Sequence, residues 1–119
     1  MSGTIDAIRR EHADGGLIRR VCGDMDGFRD EGAFLACLCW LADCLYLRGD
    51  RCEARSQFER VLATANDVGL FAEECDVANG RLMGNFPLAL THMAVVKTAL
   101  LLTGTTRGHR RKSAARART

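Results

Sequence analysis

The stretch AFLACLCWLA, residues 33–42, holds ten apolar residues in a row, and its reading decides the fold of this 119-residue chain. A helix on the surface of a small bundle carries one apolar stripe, whereas a helix apolar on every face is built to be buried on every face. The run falls short of the ~18 unbroken apolar residues of a membrane span, and no other stretch reaches that length. Its pattern predicts a helix from about Gly32 to Arg48, stopped by Gly49, with Trp40 in the core. A second segment, from Phe86 or Pro87 to about Leu102, is nearly as apolar, with Leu90, Met93, Val95, Val96 and Leu100 among its members. Three or four helices cannot enclose both. The chain is therefore expected either to self-associate through exposed apolar helices or to form one piece of a larger helical layer.

Two further helices complete the reading. One runs from about Thr4 to His12, with Ile5 and Ile8 on one face and Asp14-Gly15-Gly16 as its stop. The other runs from about Arg51 to Asp67, with Asp50 as its N-cap and Gly69 just beyond its end. It is amphipathic: Ala54, Phe58, Val61, Leu62 and Ala65 share a face opposite Glu53, Arg55, Glu59 and Arg60. Strand signals are absent, so the fold class is all-α.

Composition narrows the setting. Hydrophobic residues make up 47% and charged residues 27% of the chain, ordinary values for a globular domain. The net charge of +2 hides an asymmetry, because the tail RGHRRKSAARART, residues 107–119, holds six basic residues and no acid. The rest carries 11 basic against 15 acidic residues. The tail reads as a disordered, solubilising extension; the alternative is weak, non-specific binding to nucleic acid or anionic lipid. Cys37, Cys39 and Cys44 lie within the apolar run as small core residues, and no C-x-x-C pair exists. Neither a metal site nor a cofactor is expected. The charged N-terminus lacks a signal peptide's apolar region, which with the reduced cysteines points to the cytoplasm.

Between the last two helices lies GLFAEECDVANGRLMGNFP, residues 69–87, with Glu73, Glu74, Asp76 and an Asn-Gly turn signal but no helical or strand periodicity. So long a non-repeating connection inside a compact helical protein marks function or disorder.

Two resemblances bear on these observations. The hairpin from Leu38 to Asn66 is similar to a tetratricopeptide repeat, with Leu41, Ala42, Leu45, Gly49, Ala54 and Phe58 at small and large packing positions. It would make the chain a helical interaction module without catalysis. A stable solenoid needs at least three repeats, and no second copy is visible. The second resemblance covers about Thr4 to Leu102. The segments EGAFLACLCWLADCLYLRGD, NDVGLFAEECD and GRLMGNFPLALTH resemble, in that order, the C-terminal end of glycoside hydrolase family 15, which includes glucoamylases, dextran glucosidases and bacterial trehalases.

That resemblance implies an (α/α)6 barrel, a double ring of helices whose inner members are buried on all sides, with residues 1–106 as a partial barrel segment. It also implies an inverting α-glucosidase, in which a carboxylic acid protonates the leaving oxygen and a carboxylate draws a proton from water. The two groups stand about 6.5–9.5 Å apart so that the water fits. The family's general base falls at Glu73, with Glu74 the second choice. Arg20 falls where the family contacts sugar hydroxyls, and Val21 replaces the tyrosine that usually follows. Glu31 either faces the sugar or acts as an acid at a helix N-terminus. Asn85 and His92 match G-N-F-P-x-A-x-x-H; His92 either orients the catalytic loop or is a satisfied core histidine. The family's general acid lies upstream of anything in this sequence, so the chain alone is expected to hydrolyse α-glucosides little or not at all.

Overall fold

The computed structural model describes residues 2–14, 16–19 and 32–104. The expected contacts of Arg20 and Glu31, Cys22 and the basic tail all lie outside the described residues. The described part is mostly helical: α1 (Ser2–His12), α2 (Leu35–Arg48), α3 (Arg51–Leu62) and α4 (Ala89–Leu102). Five two-residue strands accompany them: β1 (Ala13–Asp14), β2 (Leu17–Ile18), β3 (Ala33–Phe34), β4 (Glu74–Cys75) and β5 (Leu82–Met83). The expectation of an all-α chain without strands is corrected accordingly. Strands of two residues are too short to show the period of two that marks a strand in sequence.

Helix α2 is the centre of the molecule. Leu35, Leu38, Cys39, Ala42 and Leu45 on α2 are fully buried, with Ala54 and Val61 of α3 packed into the same core. Each fully buried Leu or Val of this kind contributes on the order of 1.5–3 kcal/mol relative to exposure. Gly49 stops α2 as expected: at φ +104° it donates its N–H to the Tyr46 carbonyl while Asp50 N–H reaches the Leu45 carbonyl. These two bonds satisfy carbonyls that the helix end would otherwise leave bare. The chain then reverses directly into α3, forming a helical hairpin. Asp50 takes the N-cap position of α3 but does not cap it with its side chain; its Oδ2 binds Arg48 at 2.6 Å instead. Arg48 also pairs with Asp6 at 2.9 Å, tying α1 to the far end of α2.

Helix α3 ends at Leu62, five residues before the expected Asp67. There Thr64 Oγ1 donates to the Val61 carbonyl, and Asn66 turns the backbone by accepting from the N–H groups of Val68 and Leu70. On its inner side α3 holds the β1–β2 turn, because Gln57 Nε2 and Arg60 Nη1 both donate to the Gly16 carbonyl. Strands β1 and β2 pair antiparallel, and an Arg19–Ala33 bridge links them to a second sheet, ordered β3-β4-β5 and antiparallel throughout.

One burial expectation fails. Trp40, expected in the core, is 43% exposed, and Leu47 on the same edge of α2 is exposed as well. So α2 is buried on most of its circumference but not all. On α4 the order is inverted: its buried positions are the small residues Thr91, Ala94 and Thr98, while Leu90, Met93, Val96 and Leu100 face outward.

Candidate functional site

The 69–87 connection is a built structure rather than an irregular loop. It enters from Asn66, whose Oδ1 accepts from Leu70 N–H at 2.8 Å. It then passes through β4, turns at Asp76–Gly80, and returns through β5 to Asn85. The Asp76 carboxylate organises the turn by accepting from Asn79 Nδ2 at 2.7 Å and from Ala78 N–H at 2.9 Å. Those bonds, the Asn79 side chain first, hold the Asp76 carboxyl below the usual carboxylate range. Burial, then the neighbouring Asp76 charge, pushes the Cys75 thiol up.

As the central strand, β4 is fastened on both edges. Phe34 pairs with Glu74 and Ala33 with Cys75 on one edge; Met83 and Leu82 pair with the same two residues on the other. The ladder extends one step, with Leu35 N–H donating to the Glu73 carbonyl and Glu73 N–H donating to the Asn85 carbonyl. Glu73 is therefore fixed at the point where the chain of α2 begins.

The two adjacent acids have different surroundings, as neighbours along a strand must, since their side chains alternate in direction. Glu74 is buried, and its Oε2 accepts the Gly32 N–H at 3.1 Å. Gly32 lies so close to the strand that a Cβ there would stand 2.6 Å from the Cys75 carbonyl oxygen. Glu73 is half-exposed, and its Oε2 accepts from both the backbone N–H of Asn85 at 3.1 Å and Asn85 Nδ2 at 2.9 Å. Its Oε1 takes no hydrogen bond among the described residues. A half-exposed carboxylate with one oxygen held and the other open can accept a proton from a bound water; one engaged with a buried backbone amide is a structural tie.

Helix α4 supports this arrangement from below. Leu88 N–H donates to the Phe71 carbonyl, and Phe71 N–H donates to His92 Nε2 at 3.3 Å. His92 Nδ1 stands 2.7 Å from the Leu88 carbonyl oxygen. A carbonyl only accepts and an amide N–H only donates, so both contacts are satisfied by the neutral ring with its proton on Nδ1. The ring also meets Phe71 edge to face at 5.4 Å. Next to it, fully buried Thr91 donates its hydroxyl to the Ala72 carbonyl at 2.9 Å. The two residues that precede Glu73 are thus both held by the first turn of α4.

The structure brings Glu73, Asn85 and His92 to one assembly and sets Glu74 on the other side of the strand. Sequence reading missed Thr91 and Gly84. Thr91 gave one faint signal, a hydroxyl inside an apolar helix beside the motif histidine. Gly84 has φ +71°, and a Cβ on it would stand 2.9 Å from Glu73 Oε2. No group of residues able to hold a metal ion occurs among the described residues, and none of their helices is long and apolar enough to cross a membrane.

The sequence of this assembly matches known proteins. Residues 48–100, which include Glu73, Glu74, Asn85 and His92, match the model of glycosyl hydrolases family 15. The chain is 41% identical over 99 residues to a trehalase of Thermoplasma volcanium, covering 82% of this chain and 16% of the relative. It is 39% identical over 99 residues to the trehalase of Thermoplasma acidophilum, covering 82% of this chain and 17% of that protein. With the trehalase of Mycobacterium tuberculosis it shares 37% identity over 100 residues, 82% of this chain and 15% of that protein. No solved structure matches the chain significantly. The chain spans about a sixth of the length of these curated relatives. Over that span, it resembles the trehalases of glycosyl hydrolases family 15.

Proposed function

We propose that this chain is the C-terminal, base-carrying segment of an inverting α-glucosidase, with trehalose as the substrate and Glu73 as the general base. The observation that carries the reading is the asymmetric hold on Glu73: Oε2 gripped twice by Asn85, Oε1 open among the described residues, and the preceding backbone fastened to α4. A base that orients water needs such fixity, since misplacement by about 1 Å can cost ~10²-fold in rate. Glu74 does not serve as the base in this reading, because its carboxylate is committed to Gly32.

In the proposed mechanism Oε1 of Glu73 draws a proton from water as the water attacks the anomeric carbon, and the bond to the leaving oxygen breaks as a second carboxyl group protonates it. Inversion places that second group about 6.5–9.5 Å away. The proposal assigns it to sequence outside the 119 residues, along with the remaining helices of an (α/α)6 barrel. It follows that the chain alone turns over little or no substrate. Arg20 and Glu31 enter the proposal as sugar contacts on the family resemblance alone. Among the described residues, the free thiols at Cys39, Cys44, Cys52 and Cys75 support a cytoplasmic setting.

The test is a hybrid enzyme in which this chain replaces the matched stretch of the Thermoplasma volcanium trehalase. The expected result is trehalose hydrolysis with inversion, read by NMR of the first-formed anomer, and a ~10²–10⁴-fold lower kcat for Glu73→Gln. Full activity of the Glu73→Gln hybrid, or loss only in Glu74→Gln, overturns the assignment.

A further inference from the structure

The turn at Asp76–Gly80 carries chemistry that the role of Glu73 leaves unused. The chain has three asparagines, followed by Asp67, Gly80 and Phe86. Of these followers only glycine puts no side chain in the way of its own backbone nitrogen. Nothing among the described residues lies within 4 Å of the point where a Cβ on Gly80 would stand. Asn79 and Gly80 are both exposed, so water reaches the pair.

What restrains the pair is Asp76. Its Oδ2 accepts from Asn79 Nδ2 at 2.7 Å, which turns the side-chain amide towards the carboxylate. Its backbone carbonyl accepts the Gly80 N–H at 2.8 Å. The two groups able to react with each other, the Asn79 amide and the Gly80 nitrogen, are therefore both committed to Asp76. An exposed turn held by a few hydrogen bonds opens locally, without global unfolding.

We propose that Asn79 is a site of spontaneous deamidation, gated by Asp76, and that its product keeps the turn from closing again. In the opened turn the Gly80 nitrogen loses its proton to hydroxide and bonds to Asn79 Cγ. The Cγ–Nδ2 bond breaks, and the departing nitrogen takes a proton from water and leaves as ammonia. The cyclic imide that remains is opened by water, at Cγ to give aspartate or at the Asn79 backbone carbonyl carbon to give isoaspartate. Nothing is oxidised or reduced; water enters and ammonia leaves. Aspartate replaces the Nδ2 donor by an oxygen that only accepts. Two carboxylates then face each other where a 2.7 Å hydrogen bond stood, and their like charges disfavour the closed turn. Isoaspartate also inserts a carbon into the main chain. The turn joins β4 to β5, the hairpin flanked by Glu73 and Asn85. Any effect on catalysis rests on the proposed function; the chemistry of Asn79 does not.

The test is incubation of the full 119-residue chain at mildly alkaline pH, followed by peptide mapping with mass detection and by isoaspartyl methyltransferase labelling. Asn79 is expected to exchange NH2 for OH while Asn66 and Asn85 keep their amides, at a rate that rises with pH. Asp76→Ala is expected to speed the loss about tenfold or more, since it removes charge-assisted hydrogen bonds that hold the turn closed. Asn79→Asp, the product made directly, is expected to speed amide exchange at Gly80. Asn79→Ala, which lacks the donor but adds no charge, is expected to speed it less. The inference is overturned if Asn79 keeps its amide as long as Asn66 and Asn85 do, if Asp76→Ala loses it no faster than wild type, or if Asn79→Asp leaves exchange at Gly80 unchanged. None of these readouts uses trehalose hydrolysis, so failure of the hybrid enzyme sinks the proposed function and leaves this inference standing.

Discussion

Asn85 holds Glu73 through two donors on one oxygen, its backbone N–H at 3.1 Å and its side-chain Nδ2 at 2.9 Å, while Glu73 N–H returns a bond to the Asn85 carbonyl. The backbone pair fixes where Glu73 is; the side chain fixes where its carboxylate points. Asn85→Ala removes only the second function. The fold is expected to lose about 1 kcal/mol or less, the usual net worth of one exposed hydrogen bond, as read by denaturant unfolding. In the hybrid enzyme kcat is expected to fall about tenfold or more with KM little changed, since orientation of the carboxylate is lost.

Gly84 and Gly80 make a controlled pair. Both have positive φ, +71° and +64°, so an alanine at either is strained, at roughly 1–2 kcal/mol. Of the two, only at Gly84 does an added Cβ meet something, Glu73 Oε2 at 2.9 Å and Glu73 Cβ at 3.0 Å; at Gly80 nothing among the described residues lies within 4 Å. Gly80→Ala is expected to lower stability while sparing the hybrid's activity. Gly84→Ala is expected to lower both, and equal activities in the two variants would sink the idea that Gly84 makes room for Glu73.

The sequence makes some of this legible and hides the rest for identifiable reasons. The ten-residue run at 33–42 carries a helix that is mostly buried, and Gly49 stops it, because burial and a left-handed cap each leave a residue signature. The strands around Glu74 leave none, since two residues show no period and their pairing partner, Ala33–Phe34, lies in a run that reads as helix. The outward face of α4 is invisible to periodicity as well: apolar residues lie all round it, so nothing in the pattern says that Thr91, Ala94 and Thr98 are the inward side. Glu73 and Glu74 are distinguished only by strand alternation and by Gly32, whose missing side chain lets its backbone reach Glu74.

His92 bridges the Leu88 carbonyl and the Phe71 N–H, which requires one donor and one acceptor on the same ring. Nitrogen NMR of the labelled chain at neutral pH is expected to show the proton on Nδ1. His92→Phe keeps the edge-to-face contact with a ring but strands the Phe71 N–H, at a cost of about 1–3 kcal/mol. His92→Asn keeps polarity but loses reach, and is expected to be no better. Stability of the phenylalanine variant equal to wild type would reduce His92 to a packing residue.

The Asp76 turn is expected to be acid-sensitive. Its carboxyl is held below its ordinary value by Asn79 and Ala78, so its contribution is complete above the unfolded carboxylate pKa, about 3.9, and is lost as pH falls through the lower folded value. Amide exchange at Gly80, whose N–H donates to the Asp76 carbonyl, should therefore accelerate on acidification beyond the intrinsic trend. Asp76→Asn should flatten that dependence, and an unchanged profile would show that the side chain does not hold the turn.

Thiol reactivity tests the burial of Cys39 between α2 and α4. Burial, then the Asp43 charge, pushes the Cys39 thiol up to about 12, while Cys52 is exposed on α3. The thiolate is the reactive form, so iodoacetamide at pH 8 is expected to label Cys52 rapidly and Cys39 only on unfolding. A raised thiol pKa contributes stability below its unfolded value, near 9.0, that is lost as pH rises towards 12. Asp43→Leu removes the charge but keeps the burial, so Cys39 should stay protected in the native chain while the alkaline loss of stability becomes shallower. Rapid labelling of Cys39 in the wild-type chain would mean that the α2–α4 contact opens readily.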